Sequence, residues 1–549
     1  MPRKLTYPSK TGDMDQHGLR DLLIPLLLAA VLFLPLIGQR TIYITDEARY
    51  ALLARNIVET GDWLVPRLGS EVHMEKSPLF IWIIAAFSLL RGGVTELTAT
   101  LPSALSGIGG VAGTFLLGCR LFGPRAGLLA SLILATTPGY FFHARLVLAD
   151  MTVTFFIVWS AWAFWGAIDA SRVQRRSMAL FYVCVALAFS SKGPAGLMPI
   201  VSFGAFVLFE EGWQGIRALR PLMGLGILAL VSAPWALAFA AQRQVSYVQQ
   251  VLIGDYLVHF DAWGTWSEIF FAFGPLGVEF LPWTLFLPIA VWNGYSRSGE
   301  AETRRKFRFL ACWVLAYVIA ITLMAHKRDR YLLPVYPALA LIVGWLWDQW
   351  GSTLIPRGLR FHGWLLGGLA VGASIFVLLP LELRPEQAVF VPSALAEKLP
   401  LVGLLLLAGI LGVMACRAGR GWIGFWVICL TMALFLAYET RIFVTQYNHT
   451  YDVKGFARKI ASRVKPEDPL LALKYRKLSY EFYLRRPIRE IRNPKELSDV
   501  VSGLRPAYVL AEEPAWRNLK EATGGEWSVV DQVKIGGRAV ILGTNGVAP

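Results

Sequence analysis

Leu22-Leu23-Ile24-Pro25-Leu26-Leu27-Leu28-Ala29-Ala30-Val31-Leu32-Phe33-Leu34-Pro35-Leu36-Ile37-Gly38 is an unbroken apolar run, and Thr45-Asp46-Glu47-Ala48-Arg49-Tyr50 follows it closely. A second charged motif, His73-Met74-Glu75-Lys76-Ser77-Pro78, precedes the next apolar run. Carboxylates placed beside a bilayer must face water or serve a purpose, because burying them in lipid costs several kcal/mol. Arg49 and Lys76 accompany them here. Acid and base together suit a site that handles a phosphate and a proton, which points to chemistry on a lipid-linked phosphate and away from a plain pore.

Working outward, apolar runs of membrane length recur from residue 21 to residue 438. The chain has 549 residues, of which 55% are hydrophobic and 17% charged. A soluble protein carries about 25% charged residues. These features predict a polytopic α-helical membrane protein, since in lipid the backbone must satisfy its own hydrogen bonds. A β-barrel is excluded, because its strands alternate and give no continuous apolar runs. The first run follows Arg3, Lys4, Lys10 and Arg20 and lacks a small-residue cleavage pattern, so it reads as a retained span. The five cysteines lie in or at the ends of apolar segments and form no disulfide framework or CxxC metal pattern. The net charge of +15 invites a nucleic-acid reading, but the basic residues fall in short clusters between apolar runs, as membrane orientation requires.

Those clusters set the topology. Every apolar run counted gives about fourteen spans, but Pro78 to Leu90 is short and opens with proline, so it reads as a re-entrant or interfacial helix. Leaving it out gives about thirteen spans and makes every internal loop basic, from Arg120 and Arg125 through Arg172, Arg175 and Arg176 to Arg417 and Arg420. Span one covers about 21–38, span three about 126–142, and spans five and six form a hairpin with its tip at Ser191-Lys192-Gly193-Pro194. Span eight covers about 269–294 and span thirteen about 421–438. The same topology puts Asp46, Glu47, Glu75, Lys76, Asp150, Lys192 and Lys327 on one external face. Residues scattered so widely through the chain and collected on one face argue for a single external site.

Two domains follow: a membrane domain over 1–438, with a first external loop at 39–96, and a soluble external domain over 439–549. In the tail, short β-like runs such as Leu470-Leu471-Ala472-Leu473 and Ala539-Val540-Ile541-Leu542 alternate with amphipathic stretches, which predicts a small α/β domain.

Several residues can carry chemistry. Asp46 reads either as a general base or acceptor-orienting carboxylate, with Glu47 in support, or as the helix N-cap together with Thr45. Arg49 falls on the same helical face and suits a phosphate or an ion pair with a neighbouring carboxylate. Lys76 either neutralises a lipid phosphate or snorkels to the interface. Glu75 can ligate a cation, with His73 and His259 as co-ligands, although one carboxylate alone is no metal site. Asp150 lies at the external mouth of span four, where it is a functional candidate or a cap. Lys192 and the run His326 to Tyr331 add positive charge on that face. Solvation of a loop accounts for Arg328 and Arg330, which leaves Lys327 and Tyr331 as site candidates. The chain has no Walker loop, no dinucleotide-binding glycine pattern and no HExxH motif, so no nucleotide cofactor is expected and the energy must come from an activated substrate.

Asp46-Glu47-Ala48-Arg49-Tyr50, Gly61-Asp62-Trp63, Glu75-Lys76-Ser77-Pro78, Asp150, Ser191-Lys192-Gly193, Pro282-Trp283 and Lys327 through Tyr331-Leu332-Leu333-Pro334 resemble, in this order, the GT-C membrane glycosyltransferases of the aminoarabinose lipid A transferase and protein O-mannosyltransferase superfamily. The resemblance covers most of the membrane part. It implies a GT-C fold, a polyprenyl (undecaprenyl) phosphate sugar as donor, an inverting transfer, and a bacterial inner membrane with the site on its periplasmic face. By match, Asp46 and Asp150 are the catalytic acids, with Glu47 and Tyr50 supporting. Arg49, Lys76, Lys192, Lys327 and Tyr331 hold donor or acceptor phosphate. Glu75 is a divalent-cation ligand; its family histidine partner falls at Tyr256, with His259 three residues away. The implied acceptors are lipid A phosphate, another glycan or a protein hydroxyl. A transporter of lipid-linked glycans is the alternative from another class, and it predicts inverted repeats that the chain does not display.

Overall fold

The computed structural model describes residues 16–69, 71–73, 76–168, 173–241, 271–297, 300–324, 327–352, 357–379, 384–385, 389–392, 394–501, 506–523 and 527–546. The chain is a helical membrane protein. Among the described residues, seven helical segments are long and apolar enough to cross a bilayer, and shorter apolar helices accompany them. Their burial differs widely. The segment Asp329–Trp350 is 89% buried within the protein and forms the centre, whereas Pro221–Ala238 is 11% buried and presents its side chains outward.

The N-terminal helix α1 (Gln16–Phe33) stops short of the expected end of span one. Pro35 lacks the N–H that a continuing helix needs, and Leu36 takes a positive φ. The chain then runs extended into α2 (Thr45–Thr60), which ends on a left-handed Gly61. A two-residue ribbon pairs β1 (Arg67–Leu68) with β2 (Glu71–Val72). It leads to α3 (Pro78–Leu90), where proline occupies the first turn. At 13 residues this helix is about 20 Å long, short of the ~30 Å hydrocarbon core. It packs on α2 and on α4 (Glu96–Phe122), which starts from a Thr95/Thr98 capping box.

Expected span three is two helices, α5 (Pro124–Ala135) and α6 (Pro138–His143). Pro138 forces the break: it pushes Thr137 into extended backbone and starts a new helix. Next come α7 (Ala149–Ile168) and α8 (Arg175–Lys192), which lie along each other. A 3-10 turn, Gly193–Leu197, joins α8 to α9 (Met198–Ala218) and is followed by α10 (Pro221–Ala241). Gly193 has φ +60°, which glycine adopts without steric cost. At Gly196 a methyl group would land on the Ala188–Phe189 peptide, so the turn sits tightly on the end of α8.

Expected span eight is not one helix. It comprises α11 (Phe273–Val278), a 3-10 turn at Trp283–Phe286 and α12 (Leu287–Trp292). Pro275, Pro282 and Pro288 remove backbone donors at intervals too short for a continuous helix. Helix α13 (Ala301–Thr322) and a 3-10 segment, Asp329–Val335, lead into the buried α14 (Tyr336–Ser352). Helices α15 (Arg357–Leu378) and α16 (Leu395–Arg417) pack together.

Helix α17 runs from Gly421 to Thr450 without a break, past the expected boundary at 438/439. Its continuation keeps an apolar face, with Ile442, Phe443, Val444 and Tyr447 buried. The polar residues that suggested an end fit the helix instead: Thr440 and Thr445 hydroxyls donate to carbonyls one turn back. Beyond it, α18 (Val453–Arg463) and β3 (Leu470–Leu473) begin a five-stranded mixed sheet near the C-terminus. Helix α19 (Lys477–Leu484) leads to β4 (Arg489–Ile491), and α20 (Pro494–Val501) to β5 (Tyr508–Glu512). Helix α21 (Glu513–Ala522) precedes the hairpin β6 (Ser528–Ile535) and β7 (Arg538–Thr544). The order is β4-β3-β5-β7-β6; β3 is parallel to both β4 and β5, and β7 is antiparallel to its neighbours. Strand β3 is buried along its length, as a strand covered on both faces should be.

Candidate active site

Asp46 lies in the first turn of α2, but it is not the cap. The N-cap is Ile44, which makes no side-chain hydrogen bond. The carboxylate turns away from the helix end and meets four cations. Its Oδ1 accepts from Arg49 at 2.9 Å and lies 3.7 Å from Lys76 Nζ. Its Oδ2 accepts from Arg330 at 3.0 Å and from Arg328 at 3.4 Å. Burial works against ionisation of Asp46, yet Lys76, Arg330 and Arg49 outweigh it and hold the carboxyl below the ordinary carboxylate range.

Asp150 sits in the first turn of α7 and is buried. Its Oδ1 accepts from Lys192, the last residue of α8, and its Oδ2 lies 3.9 Å from Arg330 Nε. The Lys192 ammonium also lies 4.6 Å from the centroid of the Tyr331 ring, a cation–π contact. Arg330 therefore stands between two carboxylates carried by helices distant in sequence. Five cations (Arg49, Lys76, Lys192, Arg328, Arg330) face two carboxylates, so the constellation carries a surplus of three positive charges. Such a surplus invites anions, and planar guanidinium groups match phosphate oxygens well.

The structure thus brings together Asp46, Arg49, Lys76, Asp150, Lys192 and Tyr331. Lys327 lies partly buried at the start of the loop that carries Arg328 and Arg330. Tyr50 is buried and packs edge-on against Phe80 at 5.0 Å, within the wall behind the site. Glu75 and His259, the expected metal ligands, lie outside the described residues, as does Tyr256. Among the described residues no group of three or more metal-ligating side chains occurs. His73 is described, and burial, with Arg49 and Lys76 adding to it, pushes it down to about 4.

Two features escaped the sequence. Arg328 and Arg330 were expected to be solvated loop residues; instead both reach Asp46, and Arg330 is half-buried. A 3-10 turn at 329–335, not an open loop, aims Arg330 inward, whereas Arg328, just ahead of the turn, reaches Asp46 while staying exposed to solvent. The second feature is Glu279, at the C-terminal end of α11. Its carboxylate accepts from the Tyr336 hydroxyl at 2.7 Å and rests on Gly139, where a Cβ would lie 2.6 Å from it. His143 lies within electrostatic reach of both Glu279 and Asp150. A lone glutamate inside the apolar run Gly277-Val278-Glu279-Phe280-Leu281 gives no spacing signal.

Glu47 has a different place from its neighbour. It is fully buried and forms a two-pronged ion pair with Arg40. Its Oε1 also accepts from the Val147 N–H at 2.9 Å, just before α7. One side chain thereby ties the starts of the two helices that carry Asp46 and Asp150.

Residues 75–237 match the model of the dolichyl-phosphate-mannose-protein mannosyltransferase family. An undecaprenyl phosphate-α-4-amino-4-deoxy-L-arabinose arabinosyl transferase of Pseudomonas aeruginosa is 30% identical over 415 residues, which cover 70% of each chain. The chain belongs to this arabinosyl transferase family. A relative of the same name from Pectobacterium atrosepticum is 26% identical over 394 residues, 69% of each chain. The fold agrees: the crystal structure of ArnT from Cupriavidus metallidurans bound to undecaprenyl phosphate is similar, with a TM-score of 0.75 at 20% identity, over 97% of this chain and 99% of that one. An archaeal oligosaccharyltransferase from Archaeoglobus fulgidus is more distant, with a TM-score of 0.51 at 13% identity over 92% and 70%. As a member of the arabinosyl transferase family, the protein is a multi-pass membrane glycosyltransferase of the GT-C type.

Proposed function

We propose that this enzyme moves 4-amino-4-deoxy-L-arabinose from undecaprenyl phosphate to a phosphate of lipid A, on the periplasmic face of a bacterial inner membrane. The surplus of three positive charges around Asp46 and Asp150 carries the reading. It suits two phosphates held side by side, one of the donor and one of the acceptor. A hydroxyl acceptor would need a base, and cations that hold the Asp46 carboxyl low also make it a weak one. An acceptor phosphate is already ionised and needs none.

In this reading the donor phosphate lies among Lys76, Lys192, Arg330 and Tyr331, with Lys327 close by in sequence. An acceptor phosphate oxygen attacks the anomeric carbon from the side opposite the leaving group. The new carbon–oxygen bond forms as the bond to the donor phosphate breaks, and undecaprenyl phosphate departs with the electron pair. The configuration inverts. The fixed cations stabilise the charge that grows on the leaving oxygen, in a site that need not reorganise. Asp46 and Asp150 hold the cations in place and orient the sugar or its amine.

About thirteen spans with basic internal loops support an external site, and the sheet beyond α17 then forms a soluble periplasmic domain. The test is transfer by purified protein in liposomes. Undecaprenyl-phosphate aminoarabinose is offered with lipid A and, separately, with a lipid A lacking its phosphates. Transfer to the first acceptor only, abolished by Lys192→Ala, supports the reading. Equal transfer to both would move the acceptor to a hydroxyl.

A further inference from the structure

The segment Gln39–Tyr43 leads from the end of α1 to the helix that bears Asp46, Glu47 and Arg49. It belongs to no helix or strand, so its backbone polar groups must find partners elsewhere. The far end of the chain supplies them. The Asn448 side chain uses both of its ends: Oδ1 accepts from the Thr41 N–H at 2.8 Å, and Nδ2 donates to the Gln39 carbonyl at 2.7 Å. The Tyr483 hydroxyl accepts from the Ile42 N–H at 2.9 Å. The Ser479 hydroxyl donates to the Tyr43 carbonyl at 2.9 Å. Rings reinforce the grip. Tyr43 stacks on Tyr451 at 4.4 Å, and Arg40 lies over Tyr447 at 5.1 Å. Beyond the segment, Phe482 packs in one cluster with Ile42, Ala48 and Leu53 of the catalytic helix region, beneath Arg55.

These contacts continue into the site. Arg40, within the gripped segment, is the partner of Glu47, and Glu47 holds the Val147 N–H ahead of Asp150. Tail, segment and both carboxylate-bearing helix starts form one connected piece. We infer that the C-terminal region acts as a positioning clamp for the catalytic helix, with Asn448, Ser479 and Tyr483 setting the place of Gln39–Tyr43 and so of the Asp46 carboxylate. The inference rests on the proposed reading for the role of Asp46. Its weight is kinetic, because a displacement of about 1 Å in a catalytic group can lower turnover about a hundredfold. A tail that recruits acceptor would act on affinity instead.

The two roles separate in the full-length protein with the variants Asn448→Ala and Tyr483→Phe. The clamp predicts a fall in kcat of about tenfold or more, with the KM values for donor and acceptor within about twofold of the parent. Amide hydrogen exchange on the same samples should speed up at Thr41 in N448A and at Ile42 in Y483F, and spread toward Asp46. Asn448→Asp keeps the acceptor for the Thr41 N–H and should recover part of the kcat. A raised acceptor KM with unchanged kcat, or no change in either constant, would overturn the inference. So would unchanged exchange over residues 41–48. Should Asn448→Ala not fold, Ser479→Ala removes a single hydroxyl and is read in the same way. If the parent enzyme fails to turn over undecaprenyl-phosphate aminoarabinose, the functional reading falls, and the exchange measurement still decides whether the tail fixes the segment.

Discussion

Asp46 and Glu47 are adjacent in sequence and opposite in circumstance. Glu47 is sealed from solvent, and its single cationic partner, Arg40, balances it one to one. Asp46 stays partly exposed, and four cations crowd it. The first arrangement is closed: Arg40 holds both Glu47 oxygens, and the Val147 N–H takes up one of them as well. The second is open, because its positive charge exceeds what the carboxylates neutralise. A balanced dry pair marks architecture, and an unbalanced wet cluster marks a binding site.

The largest effect should come from breaking the balanced pair. Glu47→Ala leaves Arg40 buried without its counter-charge and the Val147 N–H without its acceptor. Loss of one partner from a buried pair costs about 3–5 kcal/mol. Thermal unfolding in detergent should show a large drop or failure to fold, and an unchanged melting temperature would refute the distinction. In the unbalanced cluster the effects should reverse. Lys76→Ala should lower kcat/KM by about two to three orders of magnitude while stability changes little, because Arg49, Arg328 and Arg330 still face Asp46, which parallel activity and melting measurements would show.

Asp46→Asn should come next, with a smaller loss for a phosphate acceptor than for a hydroxyl acceptor. Near-complete loss with lipid A would return the general-base role to Asp46. The pH dependence sharpens this point. A carboxyl held below its ordinary range stays ionised as the solution becomes acid and protonates only below that range. An acid limb of kcat/KM between pH 5 and 6 should therefore persist unchanged in Asp46→Asn. Chelation comes last: a loss of transfer in EDTA that a divalent ion restores in the parent, but not in Glu75→Gln, would assign that ion to Glu75, and transfer that persists in EDTA would remove the metal.

Much of this was readable from the residues. The basic loops put Asp46, Lys76, Asp150 and Lys192 on one face, and the structure joins them through Asp46 and Asp150. Charge bias between spans survives as a signal because it reflects an interaction with the membrane and not with a particular partner. Arg328 and Arg330 were lost for the complementary reason. Their weight depends on a 3-10 turn whose direction is set by Leu332, Leu333 and Val335 packing into the core. Glu47 was read as a supporting residue, but what it supports was not legible, since its partner Arg40 lies before the motif and the backbone group it holds lies 100 residues away. Breaks in the apolar runs followed prolines that were visible, but hydropathy over a long window averages them out.

The tight turn after Lys192 has a consequence for redesign. Because Gly196 rests on the peptide between Ala188 and Phe189, the backbone that delivers the lysine has no slack. An engineer seeking to admit a different lipid-linked sugar cannot shift Lys192 by reshaping its loop. Only the reach of the side chain is adjustable, through a shorter or longer basic residue on an anchor that stays fixed.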